Sequence, residues 1–178
     1  MEEKSKILTS EAFDRTLMRI SHEILENNTD EKELCIVGIL RRGATLARQI
    51  AENLSKLSDK KICQGTLDIT FYRDDLTTPL RDPSLKRTDI DFSVTDKVVI
   101  IVDDVLYTGR TARAAMDAVI DLGRPRKIQL AVLIDRGHRE LPIRGDYVGK
   151  NVPTSRREMV RVRVPEYDEA KEAVILSL

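Results

Sequence analysis

The chain has 178 residues, 41% of them hydrophobic. That suffices for one domain with a sizeable core and falls short of two large ones. Thirty basic residues balance thirty acidic ones, so no global field draws the protein to nucleic acid or membrane. No apolar run approaches the ~20 residues that span a bilayer, and residues 1–13 lack the apolar stretch of a secretory signal. Two cysteines and two histidines compose no zinc motif, and a reducing, cytoplasmic setting is expected.

Residues 10–28 read as a helix. Ser10 can cap it and Glu11 suits its first turn. Phe13, Leu17, Ile20 and Ile24 recur at helical spacing and face inward; Arg15, Arg19, His22 and Glu26 share the opposite stripe. Residues 33–40, ELCIVGIL, form a near-continuous apolar run, the mark of a strand covered on both faces, with Cys35 as a packed thiol. Arg41-Arg42-Gly43 follow, then a helix over 44–57 carrying Leu46, Ile50 and Leu54. Residues 64–73 alternate and read as a strand. Residues 74–91 contain two prolines and little periodicity, which predicts a long loop or flexible arm of the kind that serves as a lid.

A second buried strand spans 97–102, and a helix over 110–122 ends at Gly123, a C′ position. The third buried strand spans 126–134. Shorter strands are expected at 147–151, 160–164 and 172–178. Buried strands alternating with helices predict an α/β fold, a central parallel sheet flanked by helices. Ligands bind such sheets beyond the carboxyl ends of the strands. Each buried strand exits into a polar group: Arg41-Arg42-Gly43, Asp103-Asp104, and Asp135-Arg136-Gly137. These are expected to converge on one crevice.

The stretch VVIIVDDVLYTGRT carries the most chemistry. A strand ends in two acids, a turn holds Thr108-Gly109, and a helix follows. Amides at a helix N-terminus attract phosphate. Gly109 lets the backbone come close, and Thr108 and Thr111 add hydroxyls. Adjacent carboxylates, Asp103 and Asp104, suit two vicinal ribose hydroxyls, directly or through Mg²⁺, which prefers oxygen ligands. Together these describe a site for a sugar 5-phosphate. The spacing fits neither a Walker A loop nor a dinucleotide fingerprint. One acid would suffice as a plain helix cap, and the helix starts several residues later. A phosphorylated receiver domain would need its acid pair after the first strand, whereas this pair lies mid-chain. Arg41-Arg42 alone reads equally as a solvated surface pair; its place at a buried strand's end favours function. Arg136 reads as a ligand group or as a salt-bridge partner near Asp135.

Charge is segregated. Residues 136–163 hold eight basic and three acidic side chains, a net +5, while 74–96 carry −3. A polyanion-binding face fits this, extended by Arg15, Arg19 and His22; so do ordinary solvated faces and an arginine-guarded edge strand at VRVRV. Aromatic residues are 4% of the chain, so nucleic acid would be held by phosphate contacts and shape.

VIIVDDVLYTGRTARA resembles the phosphoribosyl-diphosphate (PRPP) signature of the type I phosphoribosyltransferases. The likeness runs through DITFYRDDL, YTGRTARAAMDAVIDLGRP and IQLAVLIDRGHRELPIRGDYVGKNVPTS over nearly the whole chain. DRGHRELPIR followed by GKNVPTS narrows it to the PyrR family, regulators of pyrimidine-operon attenuation that are also uracil phosphoribosyltransferases. The resemblance implies one type I phosphoribosyltransferase domain over 1–178 with a small hood and a flexible arm at about 72–91. It implies that uracil and PRPP become UMP and pyrophosphate with Mg²⁺. By the same likeness, Asp103 and Asp104 hold the ribose, and Val105, Leu106, Tyr107, Thr108, Gly109, Arg110 and Thr111 wrap the 5-phosphate. Arg41, Arg42 and Gly43 form the pyrophosphate loop, Arg73 and Lys86 belong to the closing hood, and Arg136 and the backbone near Val160 meet the base. Leader mRNA of the pyrimidine operon is the implied second ligand, bound by a homodimer or higher homo-oligomer, with Thr16, Arg19, His22, Arg139, Arg144 and Lys150 at or beside the contacts.

Overall fold

The computed structural model describes residues 2–74 and 88–178. In chain order the elements are β1 (Glu2–Leu8), α1 (Ser10–Asn27), β2 (Glu33–Ile39), α2 (Arg42–Leu57), β3 (Lys61–Leu67), a 3-10 turn (Thr70–Tyr72), β4 (Val98–Leu106), α3 (Arg110–Leu122), β5 (Lys127–Asp135), β6 (Tyr147–Asn151), β7 (Glu158–Arg163), α4 (Pro165–Asp168) and β8 (Glu172–Ser177). Five strands form a parallel sheet in the order β3-β2-β4-β5-β6, and three form an antiparallel sheet in the order β1-β8-β7. The fold class expected from the sequence is the one observed.

The aliphatic runs explain the layers. In β2, Leu34 and Ile36 face one side while Cys35, Val37 and Ile39 face the other, and β4 divides its residues the same way. On the first side, Phe13, Leu17, Ile20 and Ile24 of α1 pack with Leu46, Ile50 and Leu54 of α2, and the small sheet adds Leu8, Val160, Val162 and Ala173. On the second, α3 presents Ala112, Ala115, Ala118 and Val119. A strand covered on both sides has no use for polar alternation, so β2, β4 and β5 carry almost none.

Several boundaries differ from the sequence reading. Thr9, not Ser10, caps α1: its Oγ1 accepts the Ala12 N–H at 3.3 Å. Helix α2 starts at Arg42, two residues before the expected Ala44. Strand β3 starts at Lys61 and stops at Leu67, because Asp68 Oδ1 accepts the Thr70 N–H at 3.0 Å and turns the chain. Strand β4 runs on through both acids to Leu106. Gly123 does follow α3, but its φ of 162° is extended backbone rather than left-handed. Strand β1 and the short α4 were not anticipated; the charged EEKSKIL is an exposed edge strand, whose apolar pattern is weak by nature. Of the expected arm, residues 72–74 and 88–91 are described: Thr66 and Asp89 exchange backbone hydrogen bonds at 2.9 Å. Lys86 lies outside the described residues.

One buried polar cluster ties α1 to the sheet. Asn28 Nδ2 donates to Ile24 O at 2.8 Å, Gln129 Oε1 at 3.0 Å and the Tyr147 hydroxyl oxygen at 3.1 Å, while Tyr147 donates to Gln129 Oε1 at 3.0 Å. Replacing Gln129 by Leu removes the shared acceptor and should lower the unfolding free energy by about 1–3 kcal/mol, read from denaturant melts.

Candidate active site

The chain leaves β2 toward β3 on one side and reaches β4 on the other, so the strand order reverses between β2 and β4. Two adjoining cavities open there, of about 320 and about 300 Å³. The first is lined by Arg41, Arg42, Asp68, Thr70, Arg73, Asp103, Asp104 and Thr111. The second is lined by Arg73, Asp103, residues 105–112 and Glu140. A larger cavity of about 590 Å³ lies between the 3-10 turn and α3, but Leu67, Phe71, Tyr72, Ile90, Ala118 and Leu122 give it mostly apolar walls. The convergence of charged groups makes the strand-end cavities the candidate site.

Asp103 is buried and Asp104 half-buried, consecutive residues inside a central strand. Asp103 Oδ1 accepts the Asp104 N–H at 2.9 Å, and Asp104 Oδ1 accepts the Val105 N–H at 3.0 Å. Burial pushes the Asp103 carboxyl well above its ordinary range, and the neighbouring Asp104 charge pushes it further. Burial also raises Asp104, against the Asp103 hydrogen bond and the Arg42 charge, which lower it. Two desolvated carboxyls side by side favour whatever brings them positive charge or hydroxyl donors. Their oxygens are of the type Mg²⁺ takes.

The turn beyond them has a geometry that suits an anion. Gly109 has φ +93°, a left-handed conformation that favours glycine, and it begins α3 without any side-chain cap. Thr108 Oγ1 accepts the Arg110 N–H at 3.3 Å, and the amides that follow in the first turn are of the kind that suits an anion. The segment after β5 braces the turn: Glu140 and Leu141 donate their N–H groups to Thr108 O at 2.9 and 3.1 Å. Arg110 pairs with Glu140 and Asp74, both at 2.7 Å. Asp74 also reaches Arg113 at 3.4 Å, so the root of the arm is tied to the start of α3.

At Gly43, α2 packs directly on the backbone of β4. A Cβ there would sit 2.5 Å from Val102 O, so only glycine lets the arginine pair stand over the acids. Arg41 is exposed on the cavity wall. Arg42 is held by Asp168, two hydrogen bonds at 3.0 and 2.7 Å.

The third strand end behaves differently from the other two. Arg136 is buried: it donates to Thr154 Oγ1 at 3.1 Å, Ser155 O at 3.3 Å and Glu158 O at 2.7 Å, with its guanidinium 4.0 Å above the Tyr107 ring. Asp135 accepts from Gly137 N at 3.0 Å and pairs with Arg139, whose other groups reach Ile143 O and Tyr107 O at 2.7 and 2.9 Å. The expected three-way convergence is therefore a two-way one, with Asp135-Arg136-Gly137 bracing the Tyr107–Gly109 turn and the start of β7. Val160 is buried in β7. Asp68, Glu140 and Asp168 were not foreseen, whereas Asp74 falls in the expected arm. Asp68 had a visible signal, an acid closing an alternating strand; the others lie near the site only through tertiary contacts.

Thr16, Arg19 and Lys150 gather where α1 crosses β6: Arg19 donates to Val148 O at 3.3 Å and to Gly149 O, and Lys150 to Ile7 O at 3.1 Å. The Thr16 methyl lies against Gly149, and His22 is exposed on the same helix. Arg144 is exposed beside Met116 of α3, on the other side of the sheet. Among the described residues one cluster with metal-ligand identities occurs, Glu33, Cys35 and Cys63. It lies at the opposite ends of the strands. Lys97, Cys63 and Lys61 hold Glu33 at about 2, and burial pushes Cys35 up to about 12. Its sulfur atoms do not suit Mg²⁺.

The raised Asp103 carboxyl gives a signed prediction. A folded value above the unfolded one stabilises below the ordinary aspartate value of about 3.9 and loses that contribution as pH rises through the folded value. Asp103→Asn removes the buried charge while keeping the shape. The variant should melt at a higher temperature than the parent at neutral pH, with the gap closing as pH falls toward about 4.

Residues 3–167 match the family model of the phosphoribosyl transferase domain. A protein of Caldicellulosiruptor bescii named "Bifunctional protein PyrR" is 56% identical over 178 residues, covering 100% of this chain and 98% of its own. The protein of that name from a Thermoanaerobacter species is 57% identical over 175 residues, 98% of each chain. Among solved structures, a hypoxanthine phosphoribosyltransferase from Trypanosoma cruzi superposes with a TM-score of 0.76 at 19% identity, covering 98% of this chain and 95% of that one. One from Staphylococcus aureus gives 0.71 at 20%, covering 99% and 93%. The structures share the fold; at 56–57% identity over full length, the sequences share more. With its paired acids and left-handed glycine turn in place, the chain belongs to the phosphoribosyltransferases and, among them, to the PyrR family.

Proposed function

We propose that the protein is a uracil phosphoribosyltransferase that also binds pyrimidine-operon leader RNA when UMP fills the strand-end cavity. The observation carrying the first half is the union, on one strand end, of two adjacent carboxyls, Asp103 buried and Asp104 half-buried, with a left-handed glycine turn that opens a helix. That pairing matches a ribose 5-phosphate in both chemistry and order. On this reading one domain spans 1–178, with an arm at about 72–91, and acts in the cytoplasm as a homodimer or higher homo-oligomer. No described helix is long and apolar enough to cross a membrane.

Asp103 and Asp104 would receive the ribose hydroxyls, and the backbone of 105–111 with Thr108 and Thr111 the 5-phosphate. Arg41 and Arg42 stand on the wall where the diphosphate would lie, with Arg73 at the seam of the two cavities. Lys86 joins them as an expectation from sequence. The ribose C1–O bond breaks to release pyrophosphate, uracil N1 bonds to C1, and the N1 proton leaves. Positive charge builds on the sugar, where the two carboxylates lie, and negative charge on the leaving group, where the arginines lie. Asp103 and Asp104 would hold the Mg²⁺ that accompanies PRPP, which when bound would offset diphosphate charge. Arg136 shapes the base end indirectly, through Tyr107 and the 154–158 backbone, with the backbone near Val160 beside the base.

The second half is supported by a physical link. The turn that would hold the nucleotide phosphate is bonded to Glu140 and Leu141, between Arg139 and Arg144. Ordering the turn would therefore order the start of the basic segment. The RNA contacts would be Thr16, Arg19, His22 and Lys150 on the α1 side with Arg144 beyond β6, while Arg139 positions its loop.

Changing Asp103 and Asp104 together to Asn should abolish UMP formation in a radiolabelled-uracil assay while circular dichroism stays native. Near-parental turnover would refute the enzyme reading. Leader RNA binding, followed by fluorescence anisotropy, should tighten at least about tenfold with UMP and weaken steeply with salt. Arg144→Ala and Lys150→Ala should each lower the salt slope by about one. Binding that ignores UMP and salt would leave only the enzyme.

A further inference from the structure

We propose that Asp168 is a positioning residue for Arg42, and that through it the small antiparallel sheet sets the arginine on the diphosphate side of the cavity. The assignment rests on the reading of that cavity as a PRPP site, and it adds a residue from the far end of the chain. Arg42 and Asp168 are 126 positions apart, yet Nε donates to Oδ2 at 3.0 Å and Nη2 to Oδ1 at 2.7 Å. Two parallel bonds fix the plane of a guanidinium as well as its place. Their side chains keep only 31% and 15% exposure, so water screens this pair less than the neighbouring Arg48–Glu166 pair, at 54% and 38%.

Asp168 is itself anchored. Its Oδ2 accepts the Val164 N–H at 3.1 Å, and its own N–H donates to Val164 O at 2.9 Å. Val164 is buried and directly follows β7, the strand that contains Val160. A path of a few residues therefore joins the proposed base end to the proposed diphosphate end. On its other side Arg42 feels Asp104, with which it shares the cavity wall. Among the described residues Asp104 is the other acid whose charge Arg42 feels, and without Asp168 a move of the guanidinium toward it would neutralise a ribose-binding carboxylate. Asp168 thus holds Arg42 off Asp104 and aims it at the leaving group. Bonded to one acid and facing another, Arg42 needs an anchor that directs it without removing it from the cavity.

Steady-state kinetics with uracil and PRPP, on D168N, D168E, R42K and D168N/R42K, tests the assignment. D168N should lower kcat about tenfold or more while KM for uracil stays within about twofold. D168E, which keeps the charge, should recover most of the loss, and the double variant should be no slower than R42K alone. Parental kcat in D168N, or losses that multiply in the double variant, would overturn it. So would a lowered melting temperature with unchanged kcat per folded molecule, the outcome of a purely structural role. Should the parent protein convert no uracil, the substrate reading fails by itself. Calorimetric binding of pyrophosphate with MgCl2 then decides: D168N weakens it if Arg42 is positioned as proposed, and unchanged affinity refutes the proposal.

Discussion

Two consecutive carboxyls inside the central strand of a parallel sheet are the constraint around which the rest is arranged. Burial lifts both from their ordinary range, and the charges that oppose it inside the protein are Arg73 for Asp103 and Arg42 for Asp104. Nothing in the folding of β4 requires them; its aliphatic half, packed from both sides, already secures the strand. The sheet therefore carries an electrostatic burden in its middle, tolerable because the hydrophobic layers beneath are thick. A ligand with hydroxyls and an accompanying cation relieves that burden, which makes binding and stability opposed at this spot.

The surrounding parts are arranged to keep the acids exposed to a ligand and little else. Gly43 brings α2 within a backbone's width of β4, placing the arginine pair over the acids. Gly109 turns the chain into α3 just after Thr108, whose Oγ1 accepts the Arg110 N–H. Behind that turn the segment after β5 is fixed by Arg136 stacked on Tyr107 and by Arg139 bonded to Tyr107 O, so the turn has a rigid back and an open front. Arg136 and Arg139 are therefore occupied within the protein, although composition alone would place them on a polyanion-binding face.

That occupancy revises the meaning of charge in this chain. The +5 over residues 136–163 suggests a uniformly basic surface. In the fold, Arg136 and Arg139 serve the interior of the site and Arg163 pairs with Glu3 and Glu172. Arg144, Arg156, Arg157 and Arg161 remain exposed. The α1 stripe is also tempered, because Arg15 and Arg19 pair with Glu11 and Glu23. The basic surface is narrower than the count implies and divides about the β6 edge.

From sequence by itself the parallel sheet, its three buried strands, the helices between them and the glycine turn after the paired acids were all readable. Each rests on local information: aliphatic runs, helical spacing, a glycine between threonines. The edge strand β1 escaped because exposed edges carry no apolar period, and the end of β3 was placed too late because an Asx turn depends on one side-chain bond at Asp68. Which charged groups face the ligand and which brace the scaffold was decided only by tertiary structure. Arg41 and Arg42 are neighbours in the chain, yet one is open to solvent and the other is gripped by Asp168 from the opposite end of the sequence. A side chain's role follows from its partners, and partners more than a hundred residues away leave no trace in local pattern.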